Sequence, residues 1–345
     1  MRRFEHGGNV YTRPGIRFDF SVNTNPAGLP PQVREALAAN MDRFVRYPDP
    51  DCGELRRTLA VHHGCGAERI LCGNGAADLI FRLCACVRPR KALVPSPTFS
   101  EYERSVRLFG GELAEVPLSR EEAFALPESF PDQIGPDVDL VFLCTPNNPT
   151  GVLTSPALIR RTAERCRQVG ALLLVDECFL PFTGGPSVLP LLKEYPNLII
   201  LRAFTKLYAM AGLRLGYLLG DPGLLERIAP FGPHWAVSVP AQTAGVAALS
   251  AEPEWTQRTQ AFTRGERDFL SRGLSRMGVT VFPSAANFLL LESETPLHRP
   301  LLERGILVRD CSNFTGLDDR HIRVAVRSRE ENLALLSAIE EVLHG

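Results

Sequence analysis

Four short blocks carry residue types that can do chemistry, and each follows a run of apolar residues. The first, Gly73-Asn74-Gly75-Ala76-Ala77-Asp78, puts small residues at a turn into an expected helix. Backbone N–H groups and the positive end of the helix dipole could close on an anion there, though a tight turn alone would use the same glycines. The second, Thr145-Pro146-Asn147-Asn148-Pro149-Thr150-Gly151, holds two asparagines between prolines. That makes a rigid loop able to aim an amide. The third, Leu173-Leu174-Val175-Asp176-Glu177, ends an apolar run in carboxylates, which need a cation or solvent. The fourth is Arg202-Ala203-Phe204-Thr205-Lys206, with Arg214 following in Gly212-Leu213-Arg214-Leu215-Gly216. A lysine just past a buried strand, near a charge of its own sign, has reason for a lowered pKa and a nucleophilic amine. The plainer reading is two surface cations on a loop.

Such blocks need rigid supports. Short apolar runs at 70–72, 92–95, 140–145, 171–175, 198–202 and 216–219 predict strands covered on both faces. Amphipathic stretches at 76–87, 99–109 and 156–169 predict the helices between them, the last opened by Ser155-Pro156. This alternation predicts a doubly wound, mostly parallel sheet, whose ligand sites lie at strand ends. After Asp221-Pro222 the pattern turns to long helices at 240–250 and 254–277. Strands at 287–291, 306–308 and 322–326 and a closing helix at 330–343 follow. The expected division is a large domain over 33–221 and a small α+β domain built from 1–32 and 222–345.

The whole composition narrows the function classes. The chain has 345 residues, 45% hydrophobic and 22% charged, enough for a sizeable core. Lys plus Arg number 38 against 39 Asp plus Glu, which argues against a protein that coats nucleic acid or membrane by excess positive charge. No apolar run is long enough to span a bilayer, and the start, MRRFEHGGNVYTRPG, does not read as a signal peptide. The nine cysteines show no paired CxxC spacing. His62, His63 and Cys65 lack a second ligand pair at zinc spacing, so no metal site is expected. Reduced, mostly buried thiols and a cytoplasmic location are the expectation.

Taken in order, the blocks resemble the fold-type I pyridoxal-phosphate enzymes, the aspartate aminotransferase superfamily, over nearly the whole chain. The resemblance implies that fold, with a large domain and a small one, and pyridoxal 5'-phosphate as cofactor. It implies that Lys206 forms the Schiff base and shuttles protons, Asp176 pairs with the pyridinium nitrogen, and Asn148 bonds the ring 3-oxygen. Gly75, Ala76, Ala77, Thr205 and Arg214 would bind the cofactor phosphate, and Phe99 would stack on the ring. Tyr47, in RYPDP, resembles the tyrosine lent to a neighbouring subunit, which implies a homodimer with shared sites. Two residues depart from the common pattern. Phe179 stands where a tyrosine is usual, and Ala203 where many members carry a hydroxyl.

Within the family, the opening His6-Gly7-Gly8-Asn9, the Asn23 loop, Phe179 and the 307–328 stretch look more like the branch that decarboxylates O-phospho-L-threonine in cobalamin biosynthesis. O-phosphoserine is the close analogue, and the histidinol-phosphate aminotransferase branch is the alternative. The chain from HGGN to Asn23 is shorter than that branch leads one to expect. Arg323 would take the substrate carboxylate, with Arg309, His6 and Asn23 on its phosphate. Arginine suits both jobs through bidentate contacts. A third class, a non-catalytic regulator with an added DNA-binding domain, fits poorly with a chain opening almost directly on HGGN.

Overall fold

The computed structural model of the chain describes residues 6–344. Its strands are β1 Phe18–Asp19, β2 Ile70–Gly73, β3 Lys91–Ser96, β4 Glu112–Pro117, β5 Leu140–Cys144, β6 Leu172–Asp176 and β7 Leu198–Ala203. They continue as β8 Gly216–Leu219, β9 Thr280–Val281, β10 Phe288–Glu292, β11 Ile306–Leu307, β12 Arg309–Asp310 and β13 His321–Ala325. The α-helices are α1 Pro31–Ala39, α2 Gly53–His63, α3 Ala76–Val87, α4 Ser100–Leu108, α5 Pro156–Val169 and α6 Phe204–Leu207. After them come α7 Pro222–Ile228, α8 Val239–Leu249, α9 Glu254–Arg276, α10 His298–Glu303 and α11 Arg329–His344.

The apolar runs do become six strands of a seven-stranded sheet in the order β2-β8-β7-β6-β5-β3-β4. Only β8 runs against its neighbours. Alternation along each strand feeds two cores. Val141, Leu143, Leu173, Val175 and Ile200 enter one, while Leu140, Phe142, Leu174, Ile199 and Leu201 enter the other. Burying each such side chain is worth roughly 1.5–3 kcal/mol. By the same period of two, Asp176 shares the face of Leu174, and α3 and α4 cover that face through Leu79, Leu83, Tyr102 and Val106.

Helix α5 begins as its sequence suggests. Ser155 Oγ accepts from the Leu158 N–H at 3.2 Å, proline occupies the first turn, and Gly170 closes the helix in the left-handed region. Strand β4 had no apolar run to announce it. It is one edge of the sheet, and its residues are exposed or half-buried. Helices α7 and α8 contribute Leu224, Leu225 and Ile228, and Ala241, Ala244 and Ala248, to the two cores of the large sheet. The layer around that sheet therefore continues past Asp221, where the sequence suggested a division, as far as Trp255 in α9.

The far end of α9 changes allegiance. Leu270 and Leu274 join Leu289, Leu291, Ile322, Val324, Leu335 and Ile339 in a third core, beneath the antiparallel sheet β12-β13-β10-β9. Phe20 belongs to this core, and β1 pairs in parallel with β11, so residues 18–20 and helix α11 meet here. The expected strand over 306–308 is two strands. β11 faces β1, whereas β12 turns to β13 and sets Arg309 directly opposite Arg323.

Candidate active site

A cavity of about 410 Å³ opens where the C-terminal ends of β5, β6 and β7 face the small sheet and the N-terminal arm. Of the residues expected there, His6, Asn23, Ala76, Ala77, Phe99, Asn148, Asp176, Thr205, Lys206, Arg214, Arg309 and Arg323 line it. Gly75 and Tyr47 are not among the lining residues.

The lysine sits on α6, a single turn immediately after β7. Burial, reinforced by the charges of Arg323 and Arg214, lowers its amine to about 8. Its Nζ stands 5.6 Å from the centre of the Phe179 ring. Phe179 packs edge-on against Phe288, over whose ring the Arg323 guanidinium sits at 5.3 Å. Two apolar rings thus carry the two central cations. The missing phenol hydroxyl leaves Phe179 as an apolar support.

Asp176 ends β6, 4% exposed. The Cys178 N–H donates to Oδ1 at 2.9 Å and the Tyr102 hydroxyl to Oδ2 at 2.8 Å. Burial still pushes its carboxyl above the ordinary value, because neutral donors and Lys206 only partly offset desolvation. A cationic ring nitrogen would complete the set. Its neighbour Glu177 turns to the other side of the sheet, fully buried against Arg202 at 2.7 Å.

The asparagines divide the same way. Asn147 is structural, with Nδ2 donating to Pro97 O at 2.9 Å and Oδ1 accepting from Thr98. The Oδ1 of Asn148 accepts from Arg323 Nη1.

Anion-binding features mark two places. At the first, α3 begins without a side-chain cap, so its leading N–H groups keep no acceptor of their own. Gly75 has φ +84°, and a Cβ there would fall 2.6 Å from Arg214 Nη2. The absent side chain is what lets the guanidinium lie against the helix end. Arg214 itself holds a left-handed φ of +59°. A helix N-terminus and a guanidinium, brought together in a strained backbone, want an anion between them. Thr205 borders the same wall.

At the second, Arg309 and Arg323 are cross-strand partners, 7% and 6% exposed. Like charges directly opposite each other repel, so this corner of the cavity is strongly positive. Arg323 Nη2 donates to Ser21 O at 2.8 Å, and Asn23, with its amide oxygen turned inward, accepts from Nε at 3.3 Å. Burial, with Arg309 adding to it, lowers the Arg323 guanidinium to about 10. Arg309 Nη2 donates to Asn313 at 2.8 Å, and its guanidinium sits 4.9 Å over Phe314.

A ring with a basic nitrogen, a phosphate arm and a carbonyl, the features of pyridoxal phosphate, would find groups of fitting chemistry here in Asp176, the Gly75–Arg214 cradle and Lys206. Sequence reasoning passed over Glu101 and Cys178, which line the cavity, and Tyr102, which supports Asp176 from behind it. Tyr102 had a signal, lying three residues after Phe99 and so on one face of the helix. Glu101 had none.

The family model for aminotransferase class I and II matches residues 16–339. The threonine-phosphate decarboxylase of Salmonella typhimurium is 39% identical over 99% of this chain and 97% of its own length. Two crystal structures superpose on it, each 28% identical and each covering 94% of this chain and 99% of the solved one. One is the histidinol-phosphate aminotransferase of Clostridium acetobutylicum, at TM-score 0.88, and the other the L-threonine-O-3-phosphate decarboxylase of Porphyromonas gingivalis, at 0.85.

Proposed function

The chain belongs to the class I and II aminotransferase family, and from that premise we propose that it is a pyridoxal-phosphate enzyme releasing carbon dioxide from O-phospho-L-threonine, or from O-phosphoserine. The product is the amino-alcohol phosphate, as in cobalamin biosynthesis. The observation that carries this reading is the second anion place: two buried, directly opposed arginines sharing one cavity with His6 of the N-terminal arm. A substrate with both a carboxylate and a phosphate offers bidentate acceptors suited to arginine side chains.

When bound, the cofactor supplies an electron sink for the pair left on Cα. The protein does the rest. Asp176 holds the proton on the ring nitrogen, Asn148 and Arg214 orient the ring and its phosphate, and Arg323 grips the carboxylate. As the Cα–carboxylate bond breaks and carbon dioxide leaves, Cα takes one proton, which the Lys206 ammonium would give. Incubating holoenzyme with O-phosphothreonine and no 2-oxo acid should release carbon dioxide. Turnover that instead required a 2-oxo acid, with glutamate formed from 2-oxoglutarate, would make the protein an aminotransferase.

Tyr47 is 78% exposed and stacks on Trp235 with ring centres 4.4 Å apart. Exposed Met41 and Val45 lie close to it in sequence. The reading includes a homodimer built on this face, with Tyr47 reaching the cofactor phosphate of the partner subunit. Sedimentation should then give twice 38.0 kDa. Tyr47→Ala should loosen cofactor binding several-fold, and a fully active monomer would end this part of the reading. No described helix is long and apolar enough to cross a membrane, and all nine cysteines are free. A reducing cytoplasm suits them.

A further inference from the structure

A buried acid in a pocket made for anions calls for a physical account. Glu101, the second residue of α4, is 4% exposed and lines the cavity. Its Oε1 meets His6 Nε2 at 2.6 Å, and Arg104 Nη1 donates to both of its oxygens at 3.2 and 3.4 Å. Burial pushes the carboxyl up, but His6 and Arg104 together outweigh it, and the group sits below its ordinary value.

The other side of His6 is anchored too. A Cβ on Gly7 would fall 2.2 Å from the Ser21 carbonyl oxygen, so only glycine lets the arm lie this close. The Gly8 N–H donates to Ser21 Oγ at 2.7 Å, and that hydroxyl donates to Asp19 at 2.6 Å. Ser21 O is also the acceptor for Arg323. The arm is therefore fastened at Ser21, beside the buried arginine, and at Glu101, on the large domain. The short stretch between HGGN and Asn23 is long enough, because His6 and Gly7 reach the pocket wall.

We propose that Glu101 is a positioning residue for the substrate's phosphate, a latch that draws the N-terminal arm over the pocket and turns His6 so that its remaining ring nitrogen serves the phosphate. The inference rests on the reading of a phosphorylated substrate. Glu101 holds one ring nitrogen of His6 from the large domain, so the carboxylate fixes which way the imidazole faces the phosphate. With the substrate's phosphate gone, the latch has nothing to act on.

The test is a double-mutant cycle on the holoenzyme with Glu101→Gln, His6→Gln and the pair. Glu101→Gln keeps the side-chain shape and an acceptor for the imidazole but removes the charge. KM for O-phosphothreonine should rise about tenfold, the range of a charge-assisted hydrogen bond, while kcat holds. The competitive constant for inorganic phosphate should rise in parallel, with the cofactor's visible absorption unchanged. In the pair, the Glu101 substitution should add nothing to the His6 one. Independent, additive losses, or a fall in kcat at constant KM, would overturn the latch. If the wild-type holoenzyme turns over no O-phosphothreonine, the functional reading has failed. Inorganic phosphate binding across the same four proteins then decides the latch by itself.

Discussion

Lys206→Ala is expected to abolish turnover, together with the visible absorption that bound pyridoxal phosphate acquires when a lysine holds it. The amine is lowered from 10.5 to about 8, first by burial and then by Arg323 and Arg214. At pH 7 roughly one molecule in ten then carries a neutral amine, against about one in three thousand for an ordinary lysine. That gain of some 300-fold comes first from burial and then from the two arginines. Loss of the proton-transfer group alone costs on the order of 10²- to 10⁴-fold in rate, and loss of the attachment point adds to it. Capture of added cofactor by the cofactor-free protein should quicken with pH and level off above about 8. Retained absorption in the alanine variant would remove Lys206 from the assignment. A capture rate flat from about pH 6 to 9 would show that the amine is not lowered.

Asp176→Asn should cut kcat by about 10²- to 10³-fold and leave the cofactor-free protein at least as stable as before. Catalysis suffers because the amide cannot hold a proton on the ring nitrogen, and breaking a buried ion pair from one side costs about 3–5 kcal/mol. Stability moves the other way through linkage. The folded carboxyl sits above 3.8 because it is desolvated, so between 3.8 and its raised value the folded state holds more protons than the unfolded one. Its contribution to stability therefore falls as pH rises through that window. At neutral pH the buried charge is a cost that asparagine removes, while the Cys178 N–H can still donate to the amide oxygen. Thermal melts of the two cofactor-free proteins at pH 7 check one half and steady-state rates the other. A variant that melts well below the parent, or turns over at the parent rate, contradicts the assignment.

The central strands were legible because a strand buried on both faces has to be apolar along its whole length. β5, β6 and β7 are written that way, and their order with the NNPTG and TK blocks pointed to the family. Edge strand β4 was silent, since half its residues meet water and ELAEVP carries no apolar run. The large layer's extent was also hidden. Nothing local in α7 or α8 says which sheet they cover, and only packing assigns Leu224 and Ala244 to the large one.

Within the site, type and spacing narrowed the choice to a few residues, and backbone direction settled it. Asp176 and Glu177 are adjacent acids. The period of two sends one to the cavity and the other to Arg202, while Asn147 and Asn148 part in the same manner. The chemistry of lysine, aspartate and a glycine turn is local, so it could be read from short blocks. Opposing Arg309 to Arg323, and seating His6 on Glu101 across 95 residues of chain, needs strand register and chain crossing. Those long-range pairings leave no trace in local spacing, and they are what build the second anion place.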